Sequence, residues 1–117
     1  MSLRVQTVVF DCSDTLLVAS FWSEVLGLPV QELEDGDLGL EPGGNKPDLL
    51  FQQVPEGKSV KNRLHLDVRP DDQDATVERL ISLGARRTDI GQGDVSWVVM
   101  ADPEGNEFCV LRPDPVA

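Results

Sequence analysis

The only histidine of the chain, His65, is the first candidate for proton transfer or ligand binding. It lies in the alternating segment 63–68, and alternate side chains of a strand point to opposite faces. Arg63, His65 and Asp67 therefore share one face, which we expect to meet a cavity or solvent. His65 could be a general base or simply a hydrogen-bonded polar residue. Arg63 could hold a carboxylate-bearing ligand, or pair with Asp67 or Asp11.

The two cysteines, Cys12 and Cys109, each lie in an apolar, strand-like run. Two are too few for a disulfide framework, so we expect reduced, buried thiols. Cys109 could be a nucleophile only beside a base, and His65 could be that base only if their strands approach. Glu107 has the same strand parity as Cys109 and could contribute to a site. Trp97 alternates with Val98 and either lines a cavity or packs below the sheet.

The elements that position these residues occur twice along the chain. In the first half, a strand over residues 4–10 precedes a helix capped by Ser13 or Asp14. Leu17, Phe21, Val25 and Leu28 recur at helical spacing in that helix. Gly27 and Pro29 end it. Strands are predicted at residues 30–33, 38–40 and 48–54.

The second half repeats this order after the polar stretch 55–59. A strand over residues 63–68 leads to a helix that begins near Asp72. Its apolar side carries Val77, Leu80, Ile81 and Leu83, and Gly84 ends it. Further strands are predicted at residues 86–90, 95–100 and 107–111. We expect one domain over residues 1–117, with module 1 at about 1–57 and module 2 at about 58–117.

Each half is thus a βαβββ module with one amphipathic helix. The prediction is an α+β fold, in which two modules form curved mixed sheets around a shared cavity and the helices lie on the outside. The modules are too small to be stable apart.

Four segments together resemble the glyoxalase/bleomycin-resistance superfamily, also called the vicinal-oxygen-chelate fold. They are residues 14–27, residues 63–68, Leu83-Gly84-Ala85, and the turn and strand 102–110. Each is loose alone, but four in this order are fairly specific. The resemblance is to the small glyoxalase-like proteins, and it covers nearly the whole chain.

The resemblance implies four positions at which metal-using relatives carry ligands. His65 and Thr7 each lie seven residues before the aspartate that begins a helix. The other two positions fall at Cys109 and at Gln52, or Gln53 if the register slips. Threonine and glutamine are weak ligands for Zn²⁺, Ni²⁺ or Fe²⁺, so we expect no family-type metal site and no cofactor. A rearranged site from His65, Glu107, Cys109 and Asp11 is the alternative.

The strand parity adds further candidates for the lining of the cavity. The full set of ligand-binding candidates is Thr7, Asp11, Gln52, Arg63, His65, Asp67, Trp97, Glu107 and Cys109.

Composition excludes several classes of partner. The net charge of −11 and a pI near 4.3 disfavour nucleic acid and anionic membrane surfaces. No apolar run approaches the roughly 20 residues of a membrane span, and the N-terminus lacks a secretory signal pattern. We therefore expect a cytoplasmic protein. The chain contains no glycine-rich phosphate loop, paired-cysteine zinc motif or nucleophile elbow.

Four functions fit these observations. The favoured one is metal-free binding of a small, partly apolar molecule by a homodimer, as in resistance or carrier proteins of the resembled family. The runner-up is a divalent-metal-dependent lyase, isomerase or dioxygenase. A metal-free enzyme using His65 and Arg63, and a dimer with a vestigial pocket, remain open.

Overall fold

The computed structural model describes residues 3–114, and the chain divides after Gly57 into two compact units. Unit 1 contains β1 (Thr7–Cys12), α1 (Thr15–Leu26), β2 (Gln31–Glu32), β3 (Leu38–Leu40) and β4 (Asp48–Gln53), with a short 3-10 helix at Glu34–Gly36. Unit 2 contains β5 (Leu66–Val68), α2 (Gln73–Ser82), β6 (Arg86–Arg87), β7 (Val98–Ala101) and β8 (Glu107–Val110). The α+β class and the βαβββ order of each half are confirmed.

The two sheets have the same topology. The strand order is β1-β4-β3-β2 in unit 1 and β5-β8-β7-β6 in unit 2. The first and last strand of each unit pair in parallel, and the remaining neighbours pair antiparallel. Both sheets are therefore mixed, as expected. In each unit, one central strand joins the strand before the helix to the strands after it.

The helices begin and end where the sequence predicts. The Asp14 carboxylate accepts a hydrogen bond from Leu17 N (3.1 Å), and Asp72 accepts one from Ala75 N (3.0 Å). Gly27 adopts the left-handed conformation at the end of α1, with φ of 68°. These caps fix how many residues separate each helix from the strand before it.

The core of unit 1 lies between α1 and one face of its sheet. Phe10 packs 5.1 Å from Phe51 and 5.9 Å from Trp22 between ring centroids, and Phe21 meets Trp22 edge-on at 5.2 Å. Leu17 is exposed, unlike the prediction, because the buried side of α1 is formed by Val18 and its helical neighbours. The opposite face of the sheet is left without a helix from this unit.

The core of unit 2 is built in the same way, with α2 contributing Val77 and Leu80. Met100, Phe108 and Val110 lie on the helix side of the sheet and are at most 1% exposed. Ile81, predicted on the apolar side of α2, is 40% exposed. Neither α1 nor α2, the two α-helices within residues 3–114, is long and apolar enough to cross a bilayer.

Several strands are shorter than predicted, because a strand extends only as far as its partner. Leu66 pairs with Phe108, so the residues before His65 lie opposite the turn that precedes β8. Leu64, which precedes His65, is consequently 85% exposed. In the same way Val98 pairs with Val110 near the end of β8, which leaves Trp97 on a bend before β7.

Candidate functional site

The sheet of unit 2 brings together three side chains that can bind a metal or exchange a proton. Asp67 on β5 lies directly opposite Cys109 on β8, so both side chains point to the same face. His65 precedes Asp67 by two residues, and its Nε2 lies 3.2 Å from Asp67 Oδ1. One donor atom from each of the three residues lies within 4.8 Å of the other two. We call His65, Asp67 and Cys109 the donor cluster.

The donor cluster combines a buried thiol with two accessible side chains. Cys109 is 6% exposed, whereas the side chains of His65 and Asp67 are 45% and 50% exposed. Burial raises the pKa of the Cys109 thiol, and the neighbouring Asp67 carboxylate raises it further by charge and by accepting a hydrogen bond. The thiol is therefore protonated and a poor nucleophile on its own. β5 and β8 are paired neighbours, so the condition for a His65–Cys109 pair is met.

Glu107 lies next to the donor cluster in sequence but has other partners. It accepts hydrogen bonds from Lys58 Nζ to Oε2 and from Asn62 N to Oε1, both 2.9 Å. Burial acts to raise the pKa of Glu107, but these hydrogen bonds and the Lys58 charge hold it below its ordinary value. Glu107 thus fastens the segment before β5 to the sheet, and it is not one of the three grouped donors.

The turn before β8 is held by a buried aspartate that sequence reasoning treated only as a turn residue. Asp102 is 0% exposed, and its Oδ1 accepts hydrogen bonds from Glu104 N and Asn106 N. The Asn106 side chain bonds both Asp102 oxygens and accepts a hydrogen bond from Asn62 Nδ2. This turn fixes where β8 begins and hence where Cys109 lies. The Asp-Pro-x-Gly-Asn spacing was the available signal.

The sheet of unit 1 presents a different surface on the face away from α1. The six β1 and β4 residues on this face, called the open face from here on, are Thr7, Val9, Asp11, Asp48, Leu50 and Gln52. Two apolar residues face each other at its centre, because Val9 pairs with Leu50. Polar pairs lie at either end, with Thr7 opposite Asp48 and Asp11 opposite Gln52.

The pairing of β1 with β4 identifies the residue of unit 1 that corresponds to Cys109 in the internal repeat. Cys109 pairs with Asp67, five residues before the N-cap Asp72. Five residues before the N-cap Asp14 is Val9, whose partner is Leu50. Leu50, not Gln52, is therefore the counterpart of Cys109 in the internal repeat. Gln52 lies on the same face, two residues further along β4.

Arg63 and Trp97 lie outside the strands. Arg63 is exposed on a bend before β5, and Asp67 pairs with His65. Trp97 is 41% exposed on the bend before β7. Their roles in ligand binding stay predictions.

Comparison with known proteins gives the family of this fold. The profile of the glyoxalase-like domain matches residues 7–111, which is most of the chain. The chain belongs to the glyoxalase-like domain family. The predicted membership of the glyoxalase/bleomycin-resistance superfamily is thereby confirmed, while a search of curated proteins gave no match.

Several solved structures share the fold at low sequence identity. A glyoxalase/bleomycin resistance protein/dioxygenase family enzyme from Burkholderia phytofirmans PsJN is 20% identical, with a TM-score of 0.71 over 94% of this chain and 98% of that chain. The antibiotic binding protein TnmS3 from Streptomyces sp. CB03234 is 24% identical, with a TM-score of 0.65 over 97% and 98%. The trypanothione-dependent glyoxalase I of Leishmania major is 18% identical, with a TM-score of 0.67 over 95% and 87%.

The residues of this glyoxalase-like protein do not fit the metal that the resemblance implies for its relatives. In unit 1, Thr7 offers only a hydroxyl, and Leu50, the counterpart of Cys109, offers no donor atom. Transition metals of this class favour imidazole, carboxylate and thiolate. Unit 1 therefore lacks strong ligands at these two positions, whereas His65 and Cys109 in unit 2 offer an imidazole and a thiol.

Proposed function

We propose that this glyoxalase-like protein binds a small, partly apolar molecule on the open face of unit 1 and does so without a family-type metal. The observation that carries the proposal is the Val9–Leu50 pair at the centre of that face. Val9 is 48% exposed and Leu50 is half-buried, although both lie in the middle of paired strands. Apolar side chains that stay accessible in the middle of paired strands favour a ligand with an apolar surface.

The apolar strip continues onto the next strand. Gly39 pairs with Leu50 and has no side chain of its own to cover that face. A Cβ on Gly39 would lie 3.3 Å from Leu33 Cδ1, so the Leu33 side chain occupies that space. Leu33 itself is 44% exposed. Val9 on β1, Leu50 on β4 and Leu33, which fills the space beside Gly39 on β3, therefore form an apolar row. A flat apolar group could cover this row.

The polar ends of the open face indicate what else the ligand carries. Asp48, opposite Thr7, lies at one end of the face, and Asp11 lies at the other. Thr7 and Asp11 are four residues apart along β1. At about 3.3 Å per residue, the polar ends are separated by roughly 13 Å. Carboxylates at both ends, in a chain of net charge −11, favour a neutral or cationic molecule over an anion.

The comparisons support the proposal only in a general way. TnmS3, which has the same fold, is described as an antibiotic binding protein. A family-type metal enzyme has less support, because neither Thr7 nor Leu50 in unit 1 offers an imidazole, thiolate or carboxylate.

A ligand screen followed by one charge substitution tests the proposal. The full chain is screened by thermal shift against neutral and cationic compounds with aromatic or aliphatic cores, and each hit is measured by calorimetry. Val9→Asp should weaken binding of a hit at least tenfold, about 1.4 kcal/mol, because the ligand would bury an unpaired carboxylate. Leu16→Asp is the matched control, since Leu16 is exposed on α1.

Two results would overturn the proposal. One is the absence of any stabilising compound in the panel. The other is a hit whose affinity is the same for Val9→Asp and for the unchanged chain.

A further inference from the structure

We propose that His65, Asp67 and Cys109 form a binding site for a thiophilic divalent transition-metal ion, with Zn²⁺ as the representative ion. This site goes beyond the proposed function, because it lies on the sheet of unit 2 and needs no residue of the open face. His65 and Cys109 are two of the four positions at which the resemblance implies ligands, but the proposed site differs from the family site in its remaining ligand. That site would combine residues of both halves, whereas the donor cluster lies within one unit and includes Asp67.

The distances within the donor cluster suit a metal ion. A tetrahedral Zn²⁺ with bonds of about 2.0 to 2.3 Å separates its ligand atoms by roughly 3.3 to 3.8 Å. The donor atoms of the cluster lie within 4.8 Å of one another, and His65 Nε2 is 3.2 Å from Asp67 Oδ1. His65 and Asp67 are exposed, so their side chains can rotate toward the remaining ligand distances.

The strands hold two of the three donors in fixed register. Cys109 lies on β8, between β5 and β7, and is hydrogen-bonded through its strand to both. Asp67 lies directly opposite Cys109 on β5. His65 precedes β5 and lies on the same face, so all three donors point to one side of the sheet. Donors on paired strands are better fixed than donors on separate loops.

The kinds of donor select the class of ion. Binding of the ion displaces the thiol proton of Cys109 to solvent. Thiolate and imidazole favour Zn²⁺, Co²⁺ and related ions, whereas Mg²⁺ and Ca²⁺ prefer oxygen ligands alone. Three protein donors leave a fourth position for water or another small ligand. Two of the donors are accessible to solvent, so an ion can enter without opening the unit.

Cobalt spectroscopy tests the site directly in the full chain. Protein treated with chelator and kept reduced is titrated with Co²⁺, and we expect one equivalent to produce thiolate-to-cobalt charge-transfer absorption. Zn²⁺ should displace the cobalt and remove the absorption. Cys109→Ser should abolish the band, while Cys12→Ser, which removes the other buried thiol, should leave it unchanged.

Asp67→Asn separates this site from a site of the family type. It keeps the shape of the side chain, and it should weaken Co²⁺ binding at least tenfold, since even groups that only orient a ligand are worth about 10- to 100-fold. Asp71→Asn, a matched change of an exposed aspartate that belongs to neither proposed site, should have no effect. Circular dichroism confirms that each variant is folded.

Three results would overturn the proposal: no charge-transfer band at stoichiometric Co²⁺, a band that survives Cys109→Ser, or affinity unchanged by Asp67→Asn. Val9→Asp should bind Co²⁺ like the unchanged chain. Failure of the metal site and failure of the proposed ligand site are therefore seen in different variants.

Discussion

Matching positions of the two units carry opposite chemistry. Each residue of the donor cluster has a counterpart in unit 1. His65 and Asp67 are matched by their distance from the helix N-cap, and Cys109 is matched as the strand partner of Asp67. These counterparts are Thr7, Val9 and Leu50. One sheet thus offers imidazole, carboxylate and thiol where the other offers a hydroxyl and two hydrocarbons. We infer that the repeat has separated into a unit suited to a cation and a unit suited to apolar surface.

Glu107 gives a pH-dependent prediction at the scale of one residue. Its pKa is below the ordinary value of 4.5, so the unfolded chain binds the proton more readily than the folded chain. The resulting stability is present above that ordinary value and is lost as the pH falls through the lowered pKa. Glu107→Gln should therefore lose less stability than the unchanged chain between about pH 6 and about pH 3, measured by urea unfolding.

Glu78→Gln is the control for this prediction. Glu78 lies on α2 and forms an ion pair of 3.9 Å with Arg87, in which both side chains are exposed. It should keep the pH dependence of the unchanged chain. Equal acid sensitivity of Glu107→Gln and the unchanged chain would show that Lys58 and Asn62 do not stabilise the Glu107 carboxylate.

At the scale of elements, the sequence located the helices well because their end signals are local. Asp14, Gly27 and Asp72 each act within about one turn of their own position. Strand ends depend instead on a distant partner. β1 begins at Thr7 rather than at residue 4, because its partner β4 begins at Asp48, just after Pro47. The β-propensity of one segment does not depend on where its partner strand begins or ends.

The same limit explains what the sequence showed of the candidate sites. Parity within one segment placed His65 and Asp67 on one face, and the resemblance, not parity, grouped Cys109 with His65. Parity could not relate β1 to β4, since the register between two strands distant in sequence is set by pairing. The β1–β4 register therefore adds Leu50, as the counterpart of Cys109, to the predicted Gln52, which has the same parity. Counting from the N-cap finds Val9 as the counterpart of Asp67, but Leu50 follows only from the pairing of β1 with β4.

The cap of α2 provides a prediction at the scale of an element. Asp72→Ala removes the acceptor for Ala75 N and should cost about 1 kcal/mol of unfolding free energy in chemical denaturation. Asp72→Ser should recover most of the loss. Asp71→Ala is the matched control, because it removes the adjacent carboxylate and leaves the cap intact. Equal losses for the two alanine variants would contradict a specific capping role.

At the scale of the whole molecule, the expectation of a homodimer remains a prediction. Light scattering coupled to size-exclusion chromatography should give twice the 12.8 kDa chain mass. We expect the same mass for Asp67→Asn and Val9→Asp, since each is a single change within one sheet. A mass of one chain over the full concentration range would contradict the prediction of a dimer.

Cooperative unfolding is the last prediction for the whole molecule, and it follows from size. Each unit has roughly 60 residues and one helix packed on one sheet, which is near the lower limit for independent folding. Each unit also contains one tryptophan, buried Trp22 in unit 1 and exposed Trp97 in unit 2. In a Trp97→Phe background, fluorescence therefore reports unfolding of unit 1 alone.

Adding Val110→Ala to that background makes a cavity in the core of unit 2, where Val110 is 0% exposed. If the chain unfolds as one cooperative body, the urea midpoint reported by Trp22 should fall with that of circular dichroism. Val60→Ala, at an exposed position in unit 2, should move neither midpoint. A Trp22 midpoint that stays fixed while the circular dichroism splits into two transitions would instead show two independent folding units. The βαβββ unit would then be stable alone, and binding by each sheet could be measured separately.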